Sequence, residues 1–166
     1  MNHWLMQAQM MNISEALLGN ELLIALNGGS ALISIGDSDK KTADDLVSWL
    51  MGQPWCGTIL AGDRIGPLAG TIPLSDIGLE GQRSPDIVFS FGWDSKPNES
   101  HYHGFAGSSS GSVNLGMHGS MSPHEMNNVL ICKGPKFSKN RRILTPSGNT
   151  DVLPTILDIL GIEVPE

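Results

Sequence analysis

His118 is the residue best placed to do chemistry in this chain, because it stands between two glycines in Gly116-Met-His-Gly119. Glycine lets a backbone approach a ligand closely and take angles closed to other residues. Shortly after it, Ser122-Pro123 with Glu125 three residues past the serine reads as a capping box with proline at the first helical position. The free N–H groups of a helix start favour anions, so an imidazole just ahead of one is a sensible corner of a metal–phosphate site. The competing reading is a structural histidine in a turn.

The other candidates carry less. His101 and His103, two residues apart, would place both rings on one side of an extended segment, a spacing that zinc sites use; loop histidines are more often solvated or hydrogen-bonded side chains than ligands. Adding His118 and His124 gives a four-histidine set for a self-contained mononuclear site, with nothing evident to order it. The serines of Ser108-Ser-Ser-Gly-Ser112 lack the Gly-x-Ser-x-Gly elbow of a nucleophile and read as a flexible loop. Asp63, Asp76, Asp86 and Asp94 are candidate carboxylate ligands or bases, but no spacing picks out a pair. Lys133, Lys136, Lys139, Arg141 and Arg142 could bind phosphate or form a solvated face.

Positioning these residues requires strands and helices, and the pattern supplies both. Residues 1–18 have apolar positions at helical spacing. Glu21–Leu26 and Ala31–Ile35 flank Asn27-Gly-Gly-Ser30 and predict a hairpin or a sharp strand turn, since Asn and Gly accept positive φ. A helix follows, with Thr42 as its cap and Leu46, Val47, Trp49, Leu50 and Met51 inward, ended by Pro54. Trp55–Leu60 reads as a strand, residues 61–82 as a Gly- and Pro-rich stretch with a short helical turn near Ser75, and Asp86–Phe91 as a strand buried on both faces. Residues 92–117 show no periodicity and are expected to be an irregular loop. Val129–Cys132 predicts another strand, residues 133–149 a polar basic loop, and Thr150-Asp151 the cap of a last helix that Gly161 closes. Strands alternating with helices predict one α/β domain over residues 1–166 with a mostly parallel sheet and flanking helices.

Composition narrows the function classes. The 166 residues suffice for one core, and 40% of them are hydrophobic. A net charge of −7 argues against a nucleic-acid groove, although a bound metal would still admit a small phosphate ester. No stretch approaches the ~20 apolar residues of a membrane span. The amino terminus has neither a basic region nor a clean apolar one, so no signal peptide is expected; a longer parent could still be exported. Cys56 and Cys132 lie far apart in apolar runs and predict buried free thiols.

The run from Gly116 to Phe137, Gly-Met-His-Gly-Ser through Cys-Lys-Gly-Pro-Lys-Phe, resembles the carboxy-terminal segment of alkaline-phosphatase-superfamily proteins of the type I phosphodiesterase and nucleotide pyrophosphatase kind. Asn149-Thr-Asp-Val-Leu-Pro-Thr155, opening the last helix, resembles a later segment of that family. Asn27–Ile33, Gly70–Pro73 and Asp86–Phe91 match it in order. The resemblance covers most of residues 20–166 and implies a partial alkaline-phosphatase-like sandwich. It makes His118 a ligand of one of two zinc ions, which in that family stand ~4 Å apart around a threonine or serine nucleophile.

The family's remaining ligands come from an amino-terminal Asp, the nucleophile, an Asp-x-x-x-His and an Asp-His pair. This chain has neither of those two motifs and no segment like the nucleophile strand. The resemblance therefore implies the carboxy-terminal fragment or subunit of a zinc-dependent phosphoester hydrolase, inactive alone, with its nucleophile and most ligands on an amino-terminal catalytic portion that is either a separate chain or the preceding part of one longer protein. The substrate of the complete protein would be a small phosphoester. The alternative is a non-catalytic interaction or binding module that keeps part of the family fold.

Overall fold

The computed structural model describes residues 22–97, 101, 103–108 and 118–163; the helix expected over residues 1–18 lies outside them. The chain divides into two compact units after Asn128.

The first unit is built on a five-stranded sheet of order β1-β2-β5-β3-β4. Strands β1 (Leu22–Asn27) and β2 (Ser30–Ile35) form the expected hairpin, with Asn27 opposite Ser30 across Gly28-Gly29. Gly28 takes a φ of 61°, the left-handed region such a tight turn needs. Helix α1 (Lys40–Met51) follows. Its cap is Asp39 rather than Thr42: the Asp39 carboxylate accepts from the Thr42 N–H at 2.8 Å and from the Thr42 hydroxyl. Ala43, Leu46, Val47 and Leu50 recur at helical spacing and are buried against one face of the sheet. The helix ends at Met51 with Gly52 as its C-cap, two residues ahead of Pro54.

Strand β3 (Cys56–Ala61) runs to the short β4 (Ile72–Pro73), and a single 3-10 turn spans Leu74–Ile77, near the expected Ser75. Strand β5 (Ile87–Phe91) lies at the centre and is buried at every position. Ile87, Phe89 and Phe91 join the core under α1, where Phe89 and Phe91 stack edge-on at 5.2 Å and Trp55 lies 5.5 Å from Phe89. Val88 faces the other side, in a smaller cluster with Leu60 and Leu74, against which Leu32 and Met121 pack.

The mostly parallel sandwich with flanking helices is not what forms. The sheet is mixed and mainly antiparallel; its only parallel pair is β3–β4, and α1 is the only helix longer than four residues in the described first unit. The reason is β5. Strands β2 and β3 do run the same way across α1, as an alternating pattern requires. However, β5 enters between them in the opposite direction and pairs antiparallel with both. Local periodicity shows that a helix separates two strands; it carries no information on which later strand slots between them.

Residues 92–117 also depart from expectation. Strands β6 (Trp93–Pro97) and β7 (His103–Ala106) form a two-stranded antiparallel ladder with a register shift between Asp94 and Pro97. Every residue of β6 is exposed, so backbone pairing rather than one-sided burial holds it, and no alternation marks it in the sequence. Helix α2 (Pro123–Met126) closes the first unit.

In the second unit, the strand expected at Val129–Cys132 joins no ladder, and residues 133–148 are irregular, as expected. A 3-10 turn (Asn149–Asp151) leads into helix α3 (Val152–Leu160), which Gly161 ends at a φ of 70°. The Gly148 N–H donates to the Asp151 carboxylate at 2.7 Å, which holds the 3-10 turn; Asp151 stands at the start of α3, as expected, but its side chain makes no cap bond to that helix. No helix among the described residues is long and apolar enough to cross a membrane.

Both cysteines are free. Cys132 is exposed, against expectation, because its strand is not covered; Cys56 is partly buried. Burial pushes the Cys56 thiol up from 9.0 to about 11. With its folded value raised, the neutral thiol stabilises the fold fully below pH 9, and that contribution disappears as pH climbs through about 11. At pH 8, iodoacetamide should label Cys56 about a hundredfold more slowly in the folded protein than in urea, following the thiolate fraction. Equal rates by mass spectrometry would refute the assignment.

Candidate functional site

His118 sits at the end of the sheet where β1 and β5 finish and β2 begins, and its place there depends on close backbone packing. Gly29 N–H donates to the His118 carbonyl at 2.7 Å, and Phe91 N–H to the Gly29 carbonyl at 2.9 Å. The two turns touch so closely that a Cβ on Gly29 would fall 2.5 Å from the Ser120 nitrogen. A Cβ on Gly119, whose φ is 89°, would fall 2.5 Å from the Asn27 carbonyl oxygen. Both glycines are therefore required for contact, and Gly119 also for its backbone angle.

Polar groups at the edge of the core fix the segment that follows. Ser120 is buried, and its N–H and hydroxyl both donate to the Glu125 carboxylate, at 3.1 and 2.5 Å. Met121 N–H donates to the buried Ser90 hydroxyl at 2.9 Å. Ser122 caps α2 by accepting from His124 N–H at 3.3 Å, with Pro123 at the first helical position as expected. Glu125 does not return to Ser122 as a capping box would. The Ser122 N–H is already taken by the Ser120 hydroxyl at 3.2 Å, and Glu125 reaches past it to Ser120.

Against this fixed backbone the His118 side chain is exposed, and no hydrogen bond to its ring is present among the described residues. The sequence-level reading missed Ser90 and Glu125 as the groups that hold the turn. Ser90 carried a signal, being the one hydroxyl in Ile87-Val-Phe-Ser-Phe91.

The other described histidines do not converge on His118. His101 lies in the turn between β6 and β7 with a φ of 65°, off the strand that would have aligned it with His103. His103 Nδ1 lies 3.0 Å from the Ser95 carbonyl oxygen, and His124 Nε2 lies 3.0 Å from the Ser95 hydroxyl, so these two gather around Ser95. His124 also meets Trp93 edge-on at 6.3 Å. The carboxylates are dispersed too. Asp86 is buried and structural, accepting from Ile35 N–H at 2.8 Å, the Ser38 hydroxyl at 2.9 Å and Arg64 at 3.0 Å. Asp63 accepts from the Ser75 hydroxyl at 3.2 Å. Asp94 accepts from Lys96 N–H at 2.9 Å, which with the nearby Lys96 charge holds its carboxyl below the usual range. Asp76 is exposed in the 3-10 turn.

Among the described residues no group of three or more His, Cys, Asp or Glu side chains could hold a metal ion. A catalytic zinc normally takes three protein ligands, so the residues described here do not make such a site. A cleft of about 290 Å³ lies beyond the carboxyl end of β3, lined in part by Gly62, Asp63, Leu68 and Ser75. Because β2 and β3 run in the same direction, that cleft lies at the sheet end opposite His118 and does not contribute to its site. The Lys133–Arg142 cluster is exposed and forms no ion pair among the described residues. No protein-family model, curated protein or solved structure matches the chain.

Proposed function

We infer that this chain is the carboxy-terminal portion of a metal-dependent phosphoester hydrolase, akin to the type I phosphodiesterases and nucleotide pyrophosphatases. It would contribute His118 as a zinc ligand and leave the nucleophile and the remaining ligands to an amino-terminal portion. The observation that carries this reading is the exposed imidazole on a turn whose backbone is held by Gly29, Ser90 and Glu125. A ligand needs a fixed backbone and an open ring, and this turn provides both. The motif around it, Gly116-Met-His-Gly-Ser120, is the segment most like that family. No catalytic step follows from this chain alone, because one imidazole does not assemble a metal pair.

The reading is tested by expressing the chain together with the polypeptide encoded immediately upstream of its first codon. Hydrolysis of bis(p-nitrophenyl) phosphate that needs both partners and zinc, and that His118→Ala abolishes, is the expected result. An upstream sequence encoding neither a nucleophile strand nor an Asp-His pair would overturn it. The second reading is a non-catalytic interaction module. It is favoured by one specific observation, the exposed apolar run Val129–Ile131.

A further inference from the structure

The cleft of about 290 Å³ beyond β3 is lined wholly by residues between Ala61 and Ser75, a single stretch of the first unit. Ala61 ends β3 and Pro73 ends β4, and these two strands are the sheet's parallel pair. The cleft therefore opens at their carboxyl ends, where open sheets with parallel strands bind ligands. The loop that encloses it is tied down along its length. Gly62 N–H donates to the Asp86 carbonyl at 2.7 Å, and the Gly62 carbonyl accepts from Ile65 and Gly66 N–H at 3.1 and 3.2 Å. Thr71 returns its N–H and its hydroxyl to the Leu68 carbonyl, at 3.3 and 2.9 Å. Ile65 and Leu68 are buried in the core under α1 and anchor the loop between those turns. The walls are thus fixed by the chain itself, and the volume lies near the lower end of the ~300–1,000 Å³ range of small-molecule sites.

Its chemistry is one-sided. Pro67, Leu68 and Pro73 supply apolar wall, and Asp63 is the one charged lining residue. The Asp63 carboxylate accepts from the Ser75 hydroxyl at 3.2 Å, which orients it and leaves lone pairs for a ligand. No ion pair engages it among the described residues. Arg64, the one cation in residues 61–75, is turned to the Asp86 carboxylate at 3.0 Å and the Ser84 carbonyl at 3.1 Å. A smaller cavity adjoining through Gly62 and Asp63 adds Glu80, a second carboxylate, and the same Arg64.

These features select among ligands. An anion, a phosphoester included, would meet Asp63 without a lining cation to offset it. A divalent cation such as calcium takes about six to eight oxygens, more than one carboxylate and two hydroxyls supply. A quaternary ammonium is held by aromatic faces, and none lines the cleft. A primary ammonium brings three donors to a carboxylate, and an apolar body suits the proline and leucine wall.

We propose that this cleft binds a small apolar primary amine, with its ammonium on the Asp63 carboxylate and its hydrocarbon body against Pro67, Leu68 and Pro73. The site is separate from His118 and does not depend on whether that residue binds metal.

The test titrates the isotope-labelled 166-residue protein with 2-phenylethylamine at neutral pH and follows the backbone amides by NMR. Saturable shifts centred on residues 61–75 are expected, with a Kd tighter than about 1 mM. Asp63→Asn keeps an acceptor for Ser75, so the far-ultraviolet spectrum should be unchanged while binding weakens by about tenfold or more. Asp94→Asn removes an exposed carboxylate on β6 and should leave binding unchanged, which separates the site from general attraction to a chain of net charge −7. 3-Phenylpropionate, with the same body and the opposite charge, should give no saturable shift. Absence of saturable shifts with the amine, undiminished binding by Asp63→Asn, an equal loss for Asp94→Asn, or saturable binding of 3-phenylpropionate would each overturn the proposal.

Discussion

Gly119→Ala is expected to lower the stability of the first unit by about 3 kcal/mol, the sum of a backbone cost and an overlap. The backbone cost comes from a φ of 89°, which an L side chain adopts only under strain. The overlap is with the Asn27 carbonyl oxygen at 2.5 Å and the Asn27 side-chain nitrogen at 2.8 Å. The oxygen belongs to the backbone at the end of β1, so it cannot rotate aside as a side chain could. Relief requires the His118–Ser120 turn to lift from the Asn27–Ser30 turn, which would also break the Gly29 to His118 hydrogen bond. Gly78→Ala is the control. Gly78 has a φ of 69° but nothing within 4 Å of an added Cβ, so it should cost only about 1 kcal/mol. Thermal unfolding followed by circular dichroism separates the two, with a fall of about 15 °C expected for Gly119→Ala. Equal losses for the two variants would show that the turns are not in contact.

Asp86→Ala should be comparably damaging, at about 3 kcal/mol, for a different reason. The Asp86 carboxylate is buried and joins three segments: Ile35 at the end of β2, Ser38 in the turn after it, and Arg64 beyond β3. Removing it leaves the Ile35 N–H without an acceptor and releases a turn in which Asp37 and Ser38 both hold positive φ. The Arg64 contact contributes little of this, because Arg64 is 52% exposed and water can solvate its guanidinium. Arg64→Ala should therefore cost less than about 1 kcal/mol. Urea unfolding should show the midpoint falling for Asp86→Ala with the slope unchanged. A loss for Arg64→Ala as large as that for Asp86→Ala would make the ion pair, rather than the hydrogen bonds, the source of stability.

Which parts of this fold can be read from the sequence follows from the range of the interactions involved. The Asn27–Ser30 hairpin, α1, β3, β5, the turn near Ser75 and the Gly161 cap are set by residues within a few positions of each other, and all of them are legible. The place of β5 between β2 and β3 depends on pairing between residues more than fifty positions apart, such as Ala31 with Phe89, and no local pattern encodes it. The β6–β7 ladder is invisible for another reason: an exposed strand such as Trp93–Pro97 need not alternate. At the candidate site, the glycines flanking His118 point to a close approach, and Gly119 makes one. What they approach could not be read, because Gly29, Ser90 and Glu125 come from three other elements or turns. Asp86 is the reverse case. One of four candidate carboxylate ligands or bases in the sequence, it is consumed by hydrogen bonds inside the fold.

The absence of a complete ligand set beside His118 among the described residues is tested most directly by titrating the purified, metal-free chain with Zn²⁺ against a chromogenic chelator while assaying bis(p-nitrophenyl) phosphate hydrolysis. A single exposed imidazole should bind more weakly than about 1 μM, less than about 8 kcal/mol, with no turnover above the protein-free rate. Stoichiometric zinc binding tighter than that, lost in His118→Ala and accompanied by hydrolysis in the absence of any partner, would contradict the account.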